Sequence, residues 1–394
     1  MRTTRRLPIT RPHLGAEELE AVRVPLETGW LVQGPLVDEF ERKFAAFTGA
    51  SHAVATSSCT TALHLAVAAL GLRPGDEVIV PAFTWVATAN VVEYTGARPV
   101  FCDVDPDTFN IDPEQVEPRI TPRTVGMLPV HLFGLAADLD PLLDIARTHR
   151  LWIVEDAACA FGARYHGRHT GTFGDAGCFS FHPRKSITTG EGGMVTTERA
   201  DLATLVSSLR DHGASRSDYD RHQSFGAHQL AAYEHLGYNY RLTDLQAAVG
   251  SVQMDRAEWV LAERARCARA YDELLADVDW LRLPTTPNGR NHAYQAYVTM
   301  YRPSDASMET VEQLHAERNT LMAALEEDGI ATRPGTHAAF AQGYYARKYE
   351  LHPRDYPGAY LADRLSLALP LYPDMTDDDL AYVADRLRAH RPRR

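Results

Sequence analysis

Short apolar runs alternate with amphipathic stretches through the first half of the chain. The runs fall at 52–58, 77–82, 98–105, 125–133 and 151–156, and the stretches at 59–70, 83–94 and 139–149 carry apolar residues at helical spacing. Strands that alternate with helices and are apolar on both faces imply a mainly parallel sheet covered on both sides. Upstream, 16–28 and 36–47 read as helices separated by Gly29-Trp-Leu-Val-Gln-Gly-Pro35. Phe40, Phe44 and Phe47 recur on one face of the second helix and are expected in the core. Beyond residue 200 the pattern turns polar. Residues 211–222 and 236–242 read as loops, Thr243 as the cap of a helix reaching 254, and 256–276 as a further helix. From about 280, a short strand (294–300) and helices (308–328, 380–388) are joined by proline-rich loops. The expected organisation is an N-terminal segment and large α/β domain over 1–255, then a smaller α+β domain over 256–394.

In open parallel sheets the ligand lies beyond the carboxyl ends of the strands. That rule gathers 57–61, Thr84, Trp85, His131, Glu155 and Asp156 on one rim. A strand entering a helix through Ser57-Ser-Cys-Thr-Thr61 leaves free N–H groups at the helix start, an anion site. Ordinary capping by Ser58 or Thr60 is the alternative. Asp156 ends an apolar strand, where a carboxylate needs a positive partner or a helix to cap. Residues 176–197 then read as a strand, a polar crest at Lys185, a glycine-rich turn and a second strand. The chain has three lysines, Lys43, Lys185 and Lys348, and uses arginine for its other basic positions. A lysine kept at such a turn points to a need for its amine, which arginine cannot offer; an exposed surface lysine in a turn is the alternative. Lys43 and Lys348 sit in polar or amphipathic surroundings and read as solvated charges.

Composition sharpens this only by exclusion. The 394 residues are 45% hydrophobic and 23% charged, which suits two globular domains. A net charge of −12 argues against nonspecific nucleic-acid binding. No apolar run approaches the roughly 20 residues that cross a bilayer, and the basic N-terminus lacks the apolar stretch of a signal peptide. Cys59, Cys102, Cys159, Cys178 and Cys267 are scattered without a Cys-x-x-Cys pair, so neither a zinc site nor a disulfide framework is expected. A cytoplasmic location follows from that reading.

A strand-end acid, an amine on a later turn and a hydroxyl-rich helix start are together what pyridoxal 5'-phosphate requires. The lysine holds the aldehyde carbon, the acid keeps the ring nitrogen protonated, and the helix start binds the phosphate. With Ser57-Ser-Cys-Thr-Thr-Ala-Leu63, Pro74-Gly-Asp-Glu-Val-Ile-Val-Pro-Ala-Phe-Thr-Trp85, Glu155-Asp-Ala-Ala158, Ser180-Phe-His-Pro-Arg-Lys185, Gly190-Glu-Gly-Gly193 and Gly237-Tyr-Asn-Tyr-Arg241 in this order, the chain resembles the DegT/DnrJ/EryC1/StrS family. These are fold-type I pyridoxal-phosphate aminotransferases acting on nucleotide-linked keto sugars.

The resemblance implies a mainly parallel seven-stranded sheet in the large domain and a homodimer with shared active sites. Lys185 would carry the cofactor as a Schiff base and then act as general base and acid. Asp156 would pair with the ring nitrogen, and Trp85 would stack on the ring unless it is a core residue. Cys59 and Thr60 would offer N–H groups, and Ser180 a hydroxyl, to the phosphate. Asn239 would reach the phosphate bound by the neighbouring subunit. Arg241 is a candidate for the substrate's phosphates, and His337, with Arg333 and Tyr345, for the substrate side. Two departures stand out: Cys59 replaces a usual glycine, and Cys159 replaces a glutamine or histidine near the cofactor's phenolic oxygen, where a thiol is a weak donor. The implied reaction loads nitrogen from an amino acid, glutamate first, to give pyridoxamine 5'-phosphate. That nitrogen then passes to a keto group of a nucleotide-diphosphate keto-deoxysugar. A cyclitol ketone is the alternative acceptor. Dehydratase relatives carry histidine in place of Lys185, and a regulatory role lacks the basic stripe that DNA binding needs.

Overall fold

A computed structural model describes residues 5–215 and 231–391. Its strands, in chain order, begin with β1 (His52–Thr56), β2 (Glu77–Pro81), β3 (Arg98–Cys102), β4 (Thr124–Met127) and β5 (Trp152–Asp156). A small hairpin, β6 (Arg164–Tyr165) and β7 (Arg168–His169), precedes β8 (Ala176–Ser180) and β9 (Gly193–Thr197). The main sheet has seven strands in the order β1-β9-β8-β5-β4-β2-β3. Pairing is parallel from β8 to β3, while β9 runs antiparallel to both of its neighbours. The reversal has a direct cause. A parallel partner needs a crossover that carries the chain back to the start of β8, usually through a helix, whereas 181–192 forms no helix and returns the chain antiparallel. Lys185 rides on that loop, at the carboxyl end of β8.

The first helices are α1 (Ala16–Thr28), α2 (Pro35–Thr48), α3 (Cys59–Ala69), α4 (Ala87–Tyr94), α5 (Leu139–His149) and α6 (Ala200–Arg210). Phe40 and Phe44 are fully buried and pack with Phe179 and Phe181, while Phe47 stacks on Phe161. The aromatic stripe is therefore core, as its spacing predicts. The glycine break after α1 is fastened from afar. Gly34 and Leu36 donate their N–H groups to Asp244, in the first turn of the helix Asp244–Asp255. Thr243 caps that helix in a reciprocal pair with Gln246. The next helix, Ala257–Leu274, follows directly after Arg256.

Beyond it lies a second sheet of β10 (Leu281–Arg282), β12 (Tyr297–Tyr301) and β13 (Ser366–Leu369), ordered β10-β12-β13, while β11 (Arg290–Asn291) joins the β6–β7 hairpin. Helices Val311–Glu327, Pro357–Leu365 and Asp377–Ala389 complete this half. Among the described residues no helix is long and apolar enough to cross a membrane.

Three local expectations change. Helix α4 starts at Ala87 rather than at residue 83, because Phe83 bridges Ala338 and the Thr84 N–H donates to the His337 carbonyl at 3.1 Å. The strand expected at 294–300 starts at Tyr297, since Tyr294 takes φ 46° and breaks the extended run. Residues 333–356, within the proline-rich loops expected beyond 280, contain the helix Gly343–Tyr349, anchored by the buried rings of Phe340, Tyr345 and Tyr356. The spacing of those anchors has no helical period. Of the 211–222 loop, residues 216–222 lie outside the described residues.

Candidate active site

The site begins where β1 enters α3. Ser58 caps the helix: its hydroxyl accepts the Thr61 N–H at 3.1 Å, and the Thr61 hydroxyl accepts the Ser58 N–H at 3.0 Å. Ala62 bonds to the Ser58 carbonyl. That leaves the N–H groups of Cys59 and Thr60 without partners among the described residues, as helix geometry requires of a first turn. Capping and an open anion seat therefore coexist. Strand β9 passes close beneath: a Cβ on Gly193 would lie 2.4 Å from the Ser58 carbonyl and 2.6 Å from the Cys59 nitrogen. Only glycine allows that approach. Ser180 pairs with Gly193 across β8 and β9, and its hydroxyl accepts the His182 N–H at 3.4 Å.

Asp156 closes β5 and is buried. Thr88, in the first turn of α4, donates its hydroxyl to Asp156 Oδ2 at 2.7 Å, and the Ala158 N–H reaches Oδ1 at 3.2 Å. Burial pushes the Asp156 carboxyl above its usual range, and these donors, with the charges of Lys185 and His131, only partly oppose the shift. No helix follows Asp156, so it is not a helix cap.

Lys185 turns inward from the return loop. Its Nζ donates to Cys159 Sγ at 3.1 Å. Burial disfavours its ammonium, but Cys159, Cys59 and Asp156 favour it and prevail, leaving the amine above the ordinary lysine value. Gly190, at φ +82°, supplies the left-handed turn that brings the loop back to β9. The other lysines behave as read: Lys43 pairs with Glu39 and Asp255, and Lys348 with Glu93.

Trp85 is 60% exposed, which excludes the core alternative, and its ring centroid lies 5.7 Å from that of His337, itself exposed. The Trp85 carbonyl accepts the Thr88 backbone N–H at 3.2 Å, tying the indole's backbone to the residue whose hydroxyl holds Asp156. The stretch 239–241 runs beside the anion seat, because the Ser57 N–H donates to the Tyr240 carbonyl at 2.9 Å. The Asn239 side chain is exposed, and Arg241 forms an ion pair with Asp211.

Some expected site residues are turned into the protein. His131 and Glu155 are fully buried and bonded to each other at 2.8 Å. Tyr345 is buried with its hydroxyl on Asn90, so it does not face a substrate. Four of the cysteines are buried and Cys159 is half-buried; all five are free.

Thr88 was not foreseen. Its signal is faint: Thr84 and Thr88 recur one turn apart in an otherwise apolar stretch, and their hydroxyls lie 3.1 Å apart.

These residues fit pyridoxal phosphate. Two free N–H groups await an anion, and a buried carboxylate lacks the cation its burial calls for. An amine stands within electrostatic reach of both. The fold and these groups suit a fold-type I pyridoxal-phosphate-dependent enzyme.

Comparison with known proteins narrows the class. The model of the DegT/DnrJ/EryC1/StrS aminotransferase family matches residues 12–388, and the chain belongs to that family. It is 39% identical over 382 residues to the spore coat polysaccharide biosynthesis protein SpsC of Bacillus subtilis, covering 97% of this chain and 96% of SpsC. Among solved structures it resembles DesV of S. venezuelae, with 34% identity, a TM-score of 0.88, and 99% and 100% of the two chains covered. It also resembles the putative sugar aminotransferase Spr1654 of Streptococcus pneumoniae, solved in both PLP and PMP forms. The PMP-form match has 28% identity, a TM-score of 0.89, and 98% of each chain covered.

Proposed function

We propose that this aminotransferase moves an amino group from glutamate to the keto group of a nucleotide-diphosphate keto-deoxysugar. The observation that carries the chemistry is the convergence of Lys185, Asp156 and the open start of α3. The sugar acceptor is supported by SpsC, named for polysaccharide biosynthesis, and by Spr1654, described as a sugar aminotransferase.

Pyridoxal phosphate, when bound, supplies an aldehyde for nitrogen and a ring that withdraws charge from the reacting carbon. Lys185 would hold that aldehyde carbon, and its Nζ, once freed, would take up and return a proton as general base and acid. Cys159 orients Nζ through its sulfur. Asp156 keeps the ring nitrogen protonated, with its carboxylate held by Thr88. Cys59 and Thr60 bind the phosphate with backbone N–H groups, so a cysteine in place of glycine preserves the contact. Ser180 adds its hydroxyl, and Trp85 offers a face to the ring.

Arg241 and His337 serve the acceptor side. Asn239, exposed on its loop, serves the partner subunit's phosphate seat in a homodimer. The division into a cofactor domain over 1–255 and a smaller domain over 256–394, and a cytoplasmic location, belong to the same reading.

The test is direct. The purified protein loaded with pyridoxal phosphate should absorb visible light, and borohydride should fix the cofactor on Lys185. Lys185→Ala should fold yet lose amino transfer; wild-type turnover by that variant would overturn the assignment. A panel of nucleotide keto sugars with glutamate, read by mass spectrometry, tests the acceptor. Amination of cyclitol ketones alone would remove the sugar reading.

A further inference from the structure

Beside the lysine loop lies a pocket of about 380 Å³ whose walls come from three separate parts of the chain. One wall is the N-terminal segment at Ile9 and Thr10, another the turn at His182 and Arg184, and the third Ala331 and Arg333. Each wall is held by backbone bonds. Leu7 exchanges bonds with Gly329 and Ala331 at 2.8 and 2.9 Å, and the Ile9 carbonyl accepts from Leu371. Arg333 pairs with Ala368. The turn closes through Lys185 N–H to the His182 carbonyl at 2.8 Å, and Gln295 grips the Arg184 carbonyl at 2.7 Å.

The polar groups facing this space are almost all donors left unused. Among the described residues neither Arg184 nor Arg333 has a carboxylate partner or a side-chain hydrogen bond, although the chain carries 52 acidic residues against 40 basic ones. Burial and the charge of Arg333 hold the Arg184 guanidinium below its ordinary value, which places the two cations within each other's field. His182 Nδ1 accepts the Arg184 N–H at 3.2 Å, so Nε2 carries the ring's proton. The Thr10 hydroxyl oxygen is buried without a partner. Two like charges facing one pocket repel unless an anion lies between them, and guanidinium matches carboxylate and phosphate oxygens in pairs.

We propose that Arg184 and Arg333 form an oxyanion subsite that anchors the charged end of a substrate beside Lys185, with His182 and Thr10 as further donors. The placement suits this task. Arg184 and Lys185 are consecutive, with Cα atoms about 3.8 Å apart, and their side chains diverge, one toward the pocket and one inward. An anion held by Arg184 is thereby tied to the residue next to the one that bears the amine. Two sources of one chemistry are compatible: the distal carboxylate of an acidic amino donor, or the diphosphate of a nucleotide sugar. The inference rests on the proposed transfer reaction only for the choice between them.

The experiment has a binding arm and a kinetic arm, both on the enzyme loaded with pyridoxal phosphate. Calorimetry measures inorganic pyrophosphate and glutarate binding to the wild type, R184Q, R333Q, the double glutamine variant and R184K/R333K. Loss of charge-assisted pairs predicts binding about 10- to 100-fold weaker for at least one probe in the double glutamine variant, with partial recovery in the lysine variant. Unchanged binding of both probes, in variants that still load cofactor and melt like the wild type, overturns the subsite whatever reaction the enzyme performs. The kinetic arm follows the two half-reactions separately. Lost preference for glutamate over alanine in the first assigns the anchor to the donor carboxylate. A defect confined to the second assigns it to the acceptor diphosphate. Full-rate half-reactions with both substrates at low concentration count against the proposal.

Discussion

Glu155 and Asp156 are neighbours at the end of β5, both buried, yet their acidities move in opposite directions. Strand alternation sends their side chains to opposite faces of the sheet. Glu155 enters a shell supplied by the protein. His131 Nε2 reaches Oε2 at 2.8 Å, the Gly171 N–H reaches the same oxygen at 2.7 Å, and the N–H groups of Phe173 and Gly174 reach Oε1 at 2.7 and 2.8 Å. Because His131 Nδ1 accepts the Ala137 N–H, Nε2 is the protonated nitrogen and donates. Burial alone would raise the Glu155 pKa, but His131 and the backbone donors outweigh it and lower it. Asp156 has one hydroxyl and one backbone N–H, and burial wins. A carboxylate satisfied by its own chain is structural. One left short can take a cation from outside, the place that the proposed function gives to a protonated ring nitrogen.

Exchanging each charge for an amide should break this contrast in two different ways. Asp156→Asn should lower turnover by about three orders of magnitude, as expected when a preorganised charge is lost from a reacting centre. The cofactor-free fold should be no less stable than wild type, measured by urea unfolding. Glu155→Gln should do the reverse. It should lose about 3 kcal/mol of stability, because buried donors are left unmatched, while retaining most of its turnover per folded molecule. The pH dependence carries the same signature. The Glu155 pKa is lowered on folding from 4.5, so its stabilisation is complete above that value and is lost as the pH falls through the folded pKa. The Asp156 pKa is raised from 3.8, so its ionised form destabilises the empty protein above the folded pKa, and acidification relieves it. Wild-type minus variant stability should therefore slope oppositely with pH for the two substitutions.

His169 extends the test to the loop that wraps Glu155. It is buried, its Nε2 accepts the Gly162 N–H, and burial lowers its pKa from 6.5 to about 4. The unfolded chain takes up that proton first, so stability is lost from pH 6.5 down to about 4. His169→Gln should remove about 2 kcal/mol of the stability lost between pH 7 and pH 5, read from urea midpoints.

The smallest effect belongs to Thr88. Thr88→Val should weaken kcat/KM about tenfold, near the value of one hydrogen bond to a charge, and shift the acid limb of its pH profile upward. Thr88→Ser should restore both. An unchanged profile in the valine variant would reduce Thr88 to packing.

Much of the fold was legible from periodicity. The limits expected for α1 and α5 match those found, and the strands lie where short apolar runs stand between helical patterns. Lys185 was legible from its rarity and from the glycines that follow it. Asp156 was legible because an acid ends an otherwise apolar strand. The burial of the His131 and Glu155 side chains was not legible, because a strand-end rule says nothing of which face a side chain takes or which loop will wrap it.

By itself, then, the sequence determined which segments become strands and helices, and the family, and it singled out the residues proposed to meet a cofactor's phosphate, ring nitrogen and aldehyde. Those features are written in local spacing and in residue type. Only the tertiary structure decided which of two adjacent carboxylates is satisfied. It alone showed that Thr88 holds Asp156, that Tyr345 is core, and that Arg184 meets Arg333 across a pocket. Each of these depends on groups far apart in the chain, whose hydrogen bonds and charges are brought together only when distant segments pack.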